Sequence, residues 1–466
     1  MNETAQPLRV AIIGSGPSGL YAAGALQRST DIAAQVDVFD RLPTPWGLVR
    51  AGVAPDHPNI KAVTRMYEKT ASHPEFRFFG NVEIGRDITV EELCDRYHAV
   101  IYAFGAAADR RRGIEGEDLP GSWAATEFVA WYNGHPDYRD LEFDLSGQTA
   151  VVVGNGNVAA DVARMLALTY DELAVTDVAD HALEVLRDSS ITEIVVLGRR
   201  GPAQAAFTNP EVLELGELED ADVIVDPRDV DLDPASRAWI ESDEADMTSK
   251  RNVEIFTEYS QRTPEGKRKR VVVRFLTSPV EIVGDGKVEG VVVERNELVQ
   301  ADDGSLKARS TGERETIPAS LVFRSVGYRG VALEGVPFDD ARAVIPNEMG
   351  RVLTEAGGEQ VPGQYVVGWI KRGPSGIIGT NKRDAQETVK ALLEDVAAGR
   401  MLDCTQPGRE SIEALLAERR GDHVTYAHWE TIDQAEREAG EPHGRPRVKF
   451  CTVAELLDAG GVTVRS

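Results

Sequence analysis

The stretch RVAIIGSGPSGLYAA, residues 9–23, carries an apolar strand through three glycines into a helix. AVVVGNGNVAADVARML, residues 150–166, repeats that shape. A strand that breaks at glycine and re-enters as a helix is the start of a βαβ unit, whose strands pair in parallel. Two such units constrain the chain to an α/β architecture with two Rossmann-like nucleotide-binding domains.

Each glycine in the first turn has a physical task. Gly14 permits the tight turn, Gly16 lets backbone approach a pyrophosphate, and Gly19 lets helix pack on strand. The pyrophosphate would sit on the helix N-terminus, where backbone N–H groups and the positive dipole end favour anions. Asp40 closes the second strand, AQVDVFD, where a carboxylate can accept from ribose hydroxyls. The second turn has Gly154, Gly156 and Ala159, and its next strand ends in Gly198-Arg199-Arg200. A carboxylate there would repel a 2′-phosphate, whereas guanidinium groups pair with it in a bidentate manner. Each charge-assisted bond contributes roughly 1.5–3 kcal/mol, enough to select NADPH over NADH by more than tenfold. An acidic end suits FAD and a basic end suits NADPH; two sites in one chain imply hydride transfer between them.

The remaining pattern orders these units. Strands are expected at 9–13, 76–84, 99–106 and 191–201, and a helix from Asn59 to Ser72, with residues 41–58 a Pro- and Gly-rich loop. Residues 107–147 read as a polar connector around one short helix, and 168–190 as an insertion. Residues 211–265 are acidic without a clear period, and antiparallel strands are expected at 269–276, 279–283, 287–293 and 320–325. Residues 364–396 return to strand, loop and helix, followed by a charged helical tail beyond Arg400. The domains implied are a discontinuous flavin domain, 1–106 with 362–466, and a pyridine-nucleotide domain, 107–361.

Composition excludes several functions. The net charge of −26 repels nucleic acid and anionic lipid. No apolar run is long enough to span a bilayer, and MNETAQPLRV has neither the basic start nor the apolar stretch of a signal peptide. The expected location is therefore the cytoplasm, with no membrane insertion. The three cysteines, Cys94, Cys404 and Cys451, are scattered; they form no CxxC pair, no zinc spacing and no iron–sulfur motif, and no metal site is expected.

Taken together, GSGPSGLYAA, PTPWGLVRAGVAPDHP, VVVGNGNVAADVARML, VLGRRGPAQAAFT and GWIKRGPSGIIGTN resemble the adrenodoxin reductase family, over residues 8–395. The resemblance implies a glutathione-reductase-like, two-dinucleotide-binding flavoprotein fold. It also implies ferredoxin–NADP+ reductase activity, with a ferredoxin-type iron–sulfur protein as electron partner. For FAD it implies contacts at Ser18, Asp40, Leu48, Val82, Trp369, Gly376, Ile377 and Ile378. The family commonly has Glu where this chain has Asp40. For NADP(H) it implies Asn155, Gly156, Asn157, Val158, Arg199, Arg200 and Glu211, with Gly376 near the nicotinamide. His57 and Glu211 are the catalytic candidates, to position groups or to manage the flavin proton after transfer, since hydride transfer itself needs no acid or base.

Gly376 precedes a helix whose positive end could face the flavin pyrimidine edge. Basic residues cluster at 267–274 and 371–383, where an acidic partner could dock, although the net charge of −26 favours an ordinary solvated face for the first. Three other readings stay open: another NADPH-dependent flavoprotein, the flavin subunit of a larger complex, or a dinucleotide-binding sensor without turnover.

Overall fold

The computed structural model describes residues 7–30, 32–302 and 304–463. Residues 1–6 of the stretch MNETAQPLRV considered above lie outside them. Two compact units result: residues 1–53, 57–109 and 327–466 form the first, and residues 54–56 and 110–326 the second. The chain therefore returns to the first unit at Gly327, whereas the strand pattern places the return at 362. Residues 327–361 join the first unit because they supply an edge hairpin to its sheet.

The first unit is built on a seven-stranded sheet. Its spatial order is Asn347–Glu348, Arg351–Leu353, Gln360–Val366, Ala99–Tyr102, Leu8–Ile13, Ala34–Phe39 and Phe76–Phe79. The last five run parallel, and Asn347–Glu348 and Arg351–Leu353 turn antiparallel at one edge. Alternate residues feed two cores: Val10, Ile12, Val36, Val38 and Ile101 on one face, and Ala11, Ile13, Phe39, Val100 and Tyr102 on the other. Both faces are covered, as a parallel sheet requires. The tail beyond Arg400 forms helices Arg409–Arg419, Tyr426–Gly440 and Val453–Ala459. Val424 of this tail makes an antiparallel bridge to Gly80.

The second unit carries a six-stranded, wholly parallel sheet. Its order is Ser122–Ala124, Leu321–Arg324, Thr149–Val153, Glu193–Leu197, Lys269–Arg274 and Ala221–Val225. A three-stranded antiparallel sheet, Thr277–Val283, Gly290–Gln300 and Leu306–Pro318, packs Val291 and Val293 against Val151, Val153, Val195 and Leu197.

These observations correct several expectations. Residues 269–276 and 320–325 hold parallel strands of the main sheet; in the second unit the antiparallel ladders are those of the three strands just named. The strand at 76–84 stops at Phe79 and the one at 99–106 stops at Tyr102. The single helix over 59–72 is two, Pro58–Lys61 and Thr64–Ala71. The unpatterned 211–265 segment holds a strand and four helices, Asn209–Leu215, Pro227–Val230, Pro234–Glu241 and Met247–Gln261. Three of them start at an Asp whose side chain accepts from a first-turn N–H: Asp226, Asp233 and Asp246. Among the described residues no helix is long and apolar enough to cross a membrane.

Candidate dinucleotide sites

In the first unit, strand Leu8–Ile13 ends at Gly14, whose φ of +107° only glycine adopts easily. A Cβ on Gly14 would lie 2.6 Å from the Ala103 carbonyl oxygen, and one on Gly19 would lie 2.1 Å from the Gly14 oxygen. Gly16 is the N-cap of helix Pro17–Gln27; no side chain caps it and no acid lies in its first turn. The positive end of that helix is left for an anion from elsewhere.

Asp40 is fixed from two sides. One carboxylate oxygen accepts from the Ser15 N–H (2.9 Å) and the Ser15 hydroxyl, and the other accepts from the Leu42 N–H (3.0 Å). The Val82 N–H donates to the Asp40 carbonyl (2.9 Å), which draws Val82 to the same sheet end. The WGLVR loop closes over the turn: Trp46 donates its N–H to Ser15 O (3.2 Å), and a Cβ on Gly47 would meet the Gly16 Cα at 2.9 Å. Leu48 opens the short helix Leu48–Ala51 and is more than one-third exposed. Gly368, with φ +78°, approaches so closely that a Cβ would lie 2.5 Å from the Ser18 Oγ.

Trp369 follows Gly368 and packs on Tyr328, centroids 5.0 Å apart; its Nε1 is buried without a hydrogen-bond partner. Helix Ile378–Ala397 starts at Ile377, which is 61% exposed, and Gly376 precedes it at φ +81°. From this helix Asp384 accepts the Gly368 N–H (2.6 Å) and pairs with Lys371 (2.9 Å), tying the Trp369 turn to the helix that Gly376 precedes. Gly16, Ser18, Asp40, Leu48, Val82 and Trp369 thus converge on one end of the sheet. His57 is buried as the N-cap of Pro58–Lys61.

In the second unit, strand Thr149–Val153 ends at Gly154, whose added Cβ would lie 2.2 Å from the Ser325 oxygen. Gly156 caps helix Asn157–Ala167, again with no side-chain cap and no acid in the first turn. Asn155 O accepts from the Ala206 N–H (2.9 Å), and Asn157 Oδ1 accepts from the Thr208 N–H (2.8 Å). These bonds bring the segment carrying Glu211 against the turn that holds Asn155, Gly156, Asn157 and Val158. Glu211 is buried and pairs with Arg164 Nη1 at 2.9 Å.

Arg164 is itself only 2% exposed and also pairs with Glu214 (2.8 Å), Asp161 (3.4 Å) and, bidentately, Asp56 (2.8 and 3.0 Å). Burial alone would favour the neutral guanidine, but the Asp56, Asp161 and Glu214 carboxylates outweigh it and raise the pKa. The Asp56 pair ties residues 54–56, which group with this unit, to helix Asn157–Ala167. Strand Glu193–Leu197 delivers Arg199, exposed, and Arg200, half-buried. Their backbone is pinned by bonds from Asn296 Nδ2 to Arg199 O (2.9 Å) and from Leu276 N–H to Arg200 O (3.2 Å).

Sequence reasoning missed Ser15, Gly368 and Arg164. Gly368 has a signal, a glycine between a strand and Trp369. Arg164 has none, because its partners Asp56 and Glu211 are remote along the chain.

The NADPH-ferredoxin reductase FprA of Mycobacterium leprae is 52% identical over 458 residues, covering 97% of this chain and 98% of that protein. The solved structure of Mycobacterium tuberculosis FprA in complex with NADPH aligns with TM-score 0.91 at 50% identity, over 98% of this chain and all of that one. The mitochondrial NADPH:adrenodoxin oxidoreductase of Arabidopsis thaliana is 40% identical over 98% of this chain and 96% of its own length. The chain belongs to the adrenodoxin reductase family. The family profile of pyridine nucleotide-disulphide oxidoreductases also matches, over residues 8–196.

This member of the family has little means for disulfide chemistry. Cys94, Cys404 and Cys451 are free, and burial pushes the Cys94 and Cys451 thiols up to about 11. A thiol that does not ionise near neutrality is a poor nucleophile.

Proposed function

We propose that this chain is an NADPH–ferredoxin reductase that holds FAD in the first unit and takes NADPH in the second. The observation that carries this reading is the opposite charge ending two similar turns, Asp40 in one and Arg199-Arg200 in the other. It stands in a chain half identical to NADPH-ferredoxin reductases along nearly its full length. The residues of the first unit fit FAD: an uncapped helix N-terminus for the pyrophosphate, a carboxylate with spare lone pairs at Asp40, and a buried indole N–H on Trp369 lacking an acceptor. FAD, when bound, supplies hydride acceptance and the release of electrons one at a time.

The protein's own part is binding and orientation. Ser15 and the Leu42 N–H hold the Asp40 carboxylate in one orientation, for a ribose to reach. Gly16 and Gly156 leave the first-turn N–H groups of their helices open to phosphate. Arg199 and Arg200 receive the 2′-phosphate, and Arg164 holds the Glu211 carboxylate in one orientation. His57 and Glu211 are the groups we assign to positioning and to proton management after transfer. The electron acceptor is a ferredoxin-type iron–sulfur protein.

The test is direct. The purified protein should carry FAD, bleach on NADPH addition under anaerobic conditions, and pass electrons singly to a ferredoxin. Replacing both Arg199 and Arg200 with alanine should cut kcat/KM for NADPH by roughly two orders of magnitude, about two lost charge-assisted bonds, with little change for NADH. A protein that binds no FAD, or equal losses for the two nucleotides, overturns the reading.

A further inference from the structure

The chain is strongly acidic, 77 Asp and Glu against 51 Lys and Arg, and most of its half-buried arginines sit against a carboxylate. Arg112 and Arg200 do not; like the exposed Arg199, they make no ion pair among the described residues. The parallel ladder puts them at one edge. Arg324, the last residue of its strand, lies beside Val153, and Val153 lies beside Leu197, so the carboxyl ends of these three strands line up. Arg199 and Arg200 follow Leu197 after the single residue Gly198.

Arg112 reaches the same edge through Glu117. The buried Glu117 carboxylate accepts the backbone N–H groups of Arg112 and Gly113, both at 2.7 Å, and pairs with Arg324 Nη1 at 3.3 Å. Those bonds commit Glu117 to fixing the loop and leave the Arg112 side chain half-buried. Burial, and then the charge of Arg199, lower the pKa of both Arg112 and Arg200. Three cations held together in this way repel one another until an anion arrives.

We propose that Arg112 is a specificity-determining residue that completes, with Arg199 and Arg200, a three-guanidinium clasp for the dianionic 2′-phosphate of NADPH. This rests on the reading that Arg199 and Arg200 hold that phosphate, and deepens it by adding a residue from a separate loop. A third guanidinium fits the chemistry, since a phosphate monoester presents three acceptor oxygens and arginine binds them through paired donors.

The test compares Arg112→Leu and Arg112→Lys in the FAD-loaded protein, with 2′,5′-ADP and 5′-AMP as calorimetric probes and NADPH and NADH as substrates. Arg112→Leu should weaken 2′,5′-ADP about tenfold or more, the value of one charge-assisted contact, and raise KM for NADPH with kcat retained. Binding of 5′-AMP and turnover of NADH should stay as in the parent. Arg112→Lys should fall between the two, and retained FAD absorbance confirms folding. If Arg112→Leu leaves 2′,5′-ADP binding intact while Arg199→Ala weakens it, the proposal fails and the parent reading stands. If neither change weakens 2′,5′-ADP, the parent reading fails as well.

Discussion

Glu436 and Arg50, separated by 386 residues, form a bidentate pair at 2.5 and 2.8 Å. The Glu436 side chain is fully buried, and it also takes the Phe450 N–H (3.0 Å) and Arg447 (3.0 Å). Arg50 ends the WGLVR loop that packs on Gly16, and its guanidinium lies over the Trp429 ring. The C-terminal segment thereby holds the loop that closes the first dinucleotide turn. Replacing Glu436 with glutamine leaves two cations facing a neutral amide, and losing one partner of a buried pair costs about 3–5 kcal/mol. The variant should lose FAD faster than the parent on dilution, measured as the rise of free-flavin fluorescence. Binding of 2′,5′-ADP, which draws on the second unit, should be retained.

The two glycines of the second turn should separate structure from binding. Gly154 has φ +145° and no room for a Cβ, whereas a Cβ on Gly156 would meet nothing nearer than Ala206 Cβ at 3.8 Å. Gly154→Ala should destabilise the second unit by about 2 kcal/mol or more, from backbone strain and the contact with Ser325. Gly156→Ala should melt like the parent yet bind NADPH more weakly, because the added methyl obstructs the pyrophosphate. Thermal melts with and without nucleotide distinguish the two.

Asp395 should dominate the acid response of the first unit. Burial opposes its ionisation, but hydrogen bonds from Arg351, Arg400, Gln360 and Tyr365 bring its pKa down to about 2. The folded value lies below the unfolded one, so the stabilisation is complete above pH 4 and drains away as pH falls toward 2. Nearly two pKa units correspond to about 2 kcal/mol. Asp395→Asn should be less stable at pH 7, and its denaturant midpoint should lose most of the parent's slope between pH 4 and 2.

Lys269 gives the opposite sign. Its ammonium is buried and donates to the Leu166 carbonyl (2.6 Å), and burial followed by Arg268 lowers its pKa to about 8. The unfolded chain holds this proton more tightly, so stability rises as pH increases from 8 to about 10.5, by up to about 3 kcal/mol. Lys269→Met should flatten that rise, read as the difference between parent and variant midpoints across the interval.

What the sequence made legible was local. The strand–glycine–helix turns, Asp40, and Arg199-Arg200 are readable because each feature lies within one βα unit or at the end of the next strand. Three of the four helices within 209–261 escaped because they begin at aspartates that merge into an acidic background. Strand Leu306–Pro318 escaped because most of its side chains face solvent, which hides the alternation. Parallel and antiparallel pairing cannot be told apart when an apolar strand such as RVVVR joins a sheet interior. Arg164 was invisible for a different reason. Arg164 meets Asp56 across 108 residues and Glu211 across 47, and only the fold brings such charges together.

The placement of strand Gln360–Val366 beside Ala99–Tyr102 carries a consequence for biosynthesis. On the ribosome, residues 110–326 emerge without interruption and can complete the second unit. The first unit, begun earlier, must wait for residue 366 to pair its central strand and for Glu436 to anchor Arg50. At ~5–20 residues per second this delay lasts on the order of tens of seconds. The later-starting unit should therefore finish first, while the apolar flank of Ala99–Tyr102 stands open for chaperones to shield.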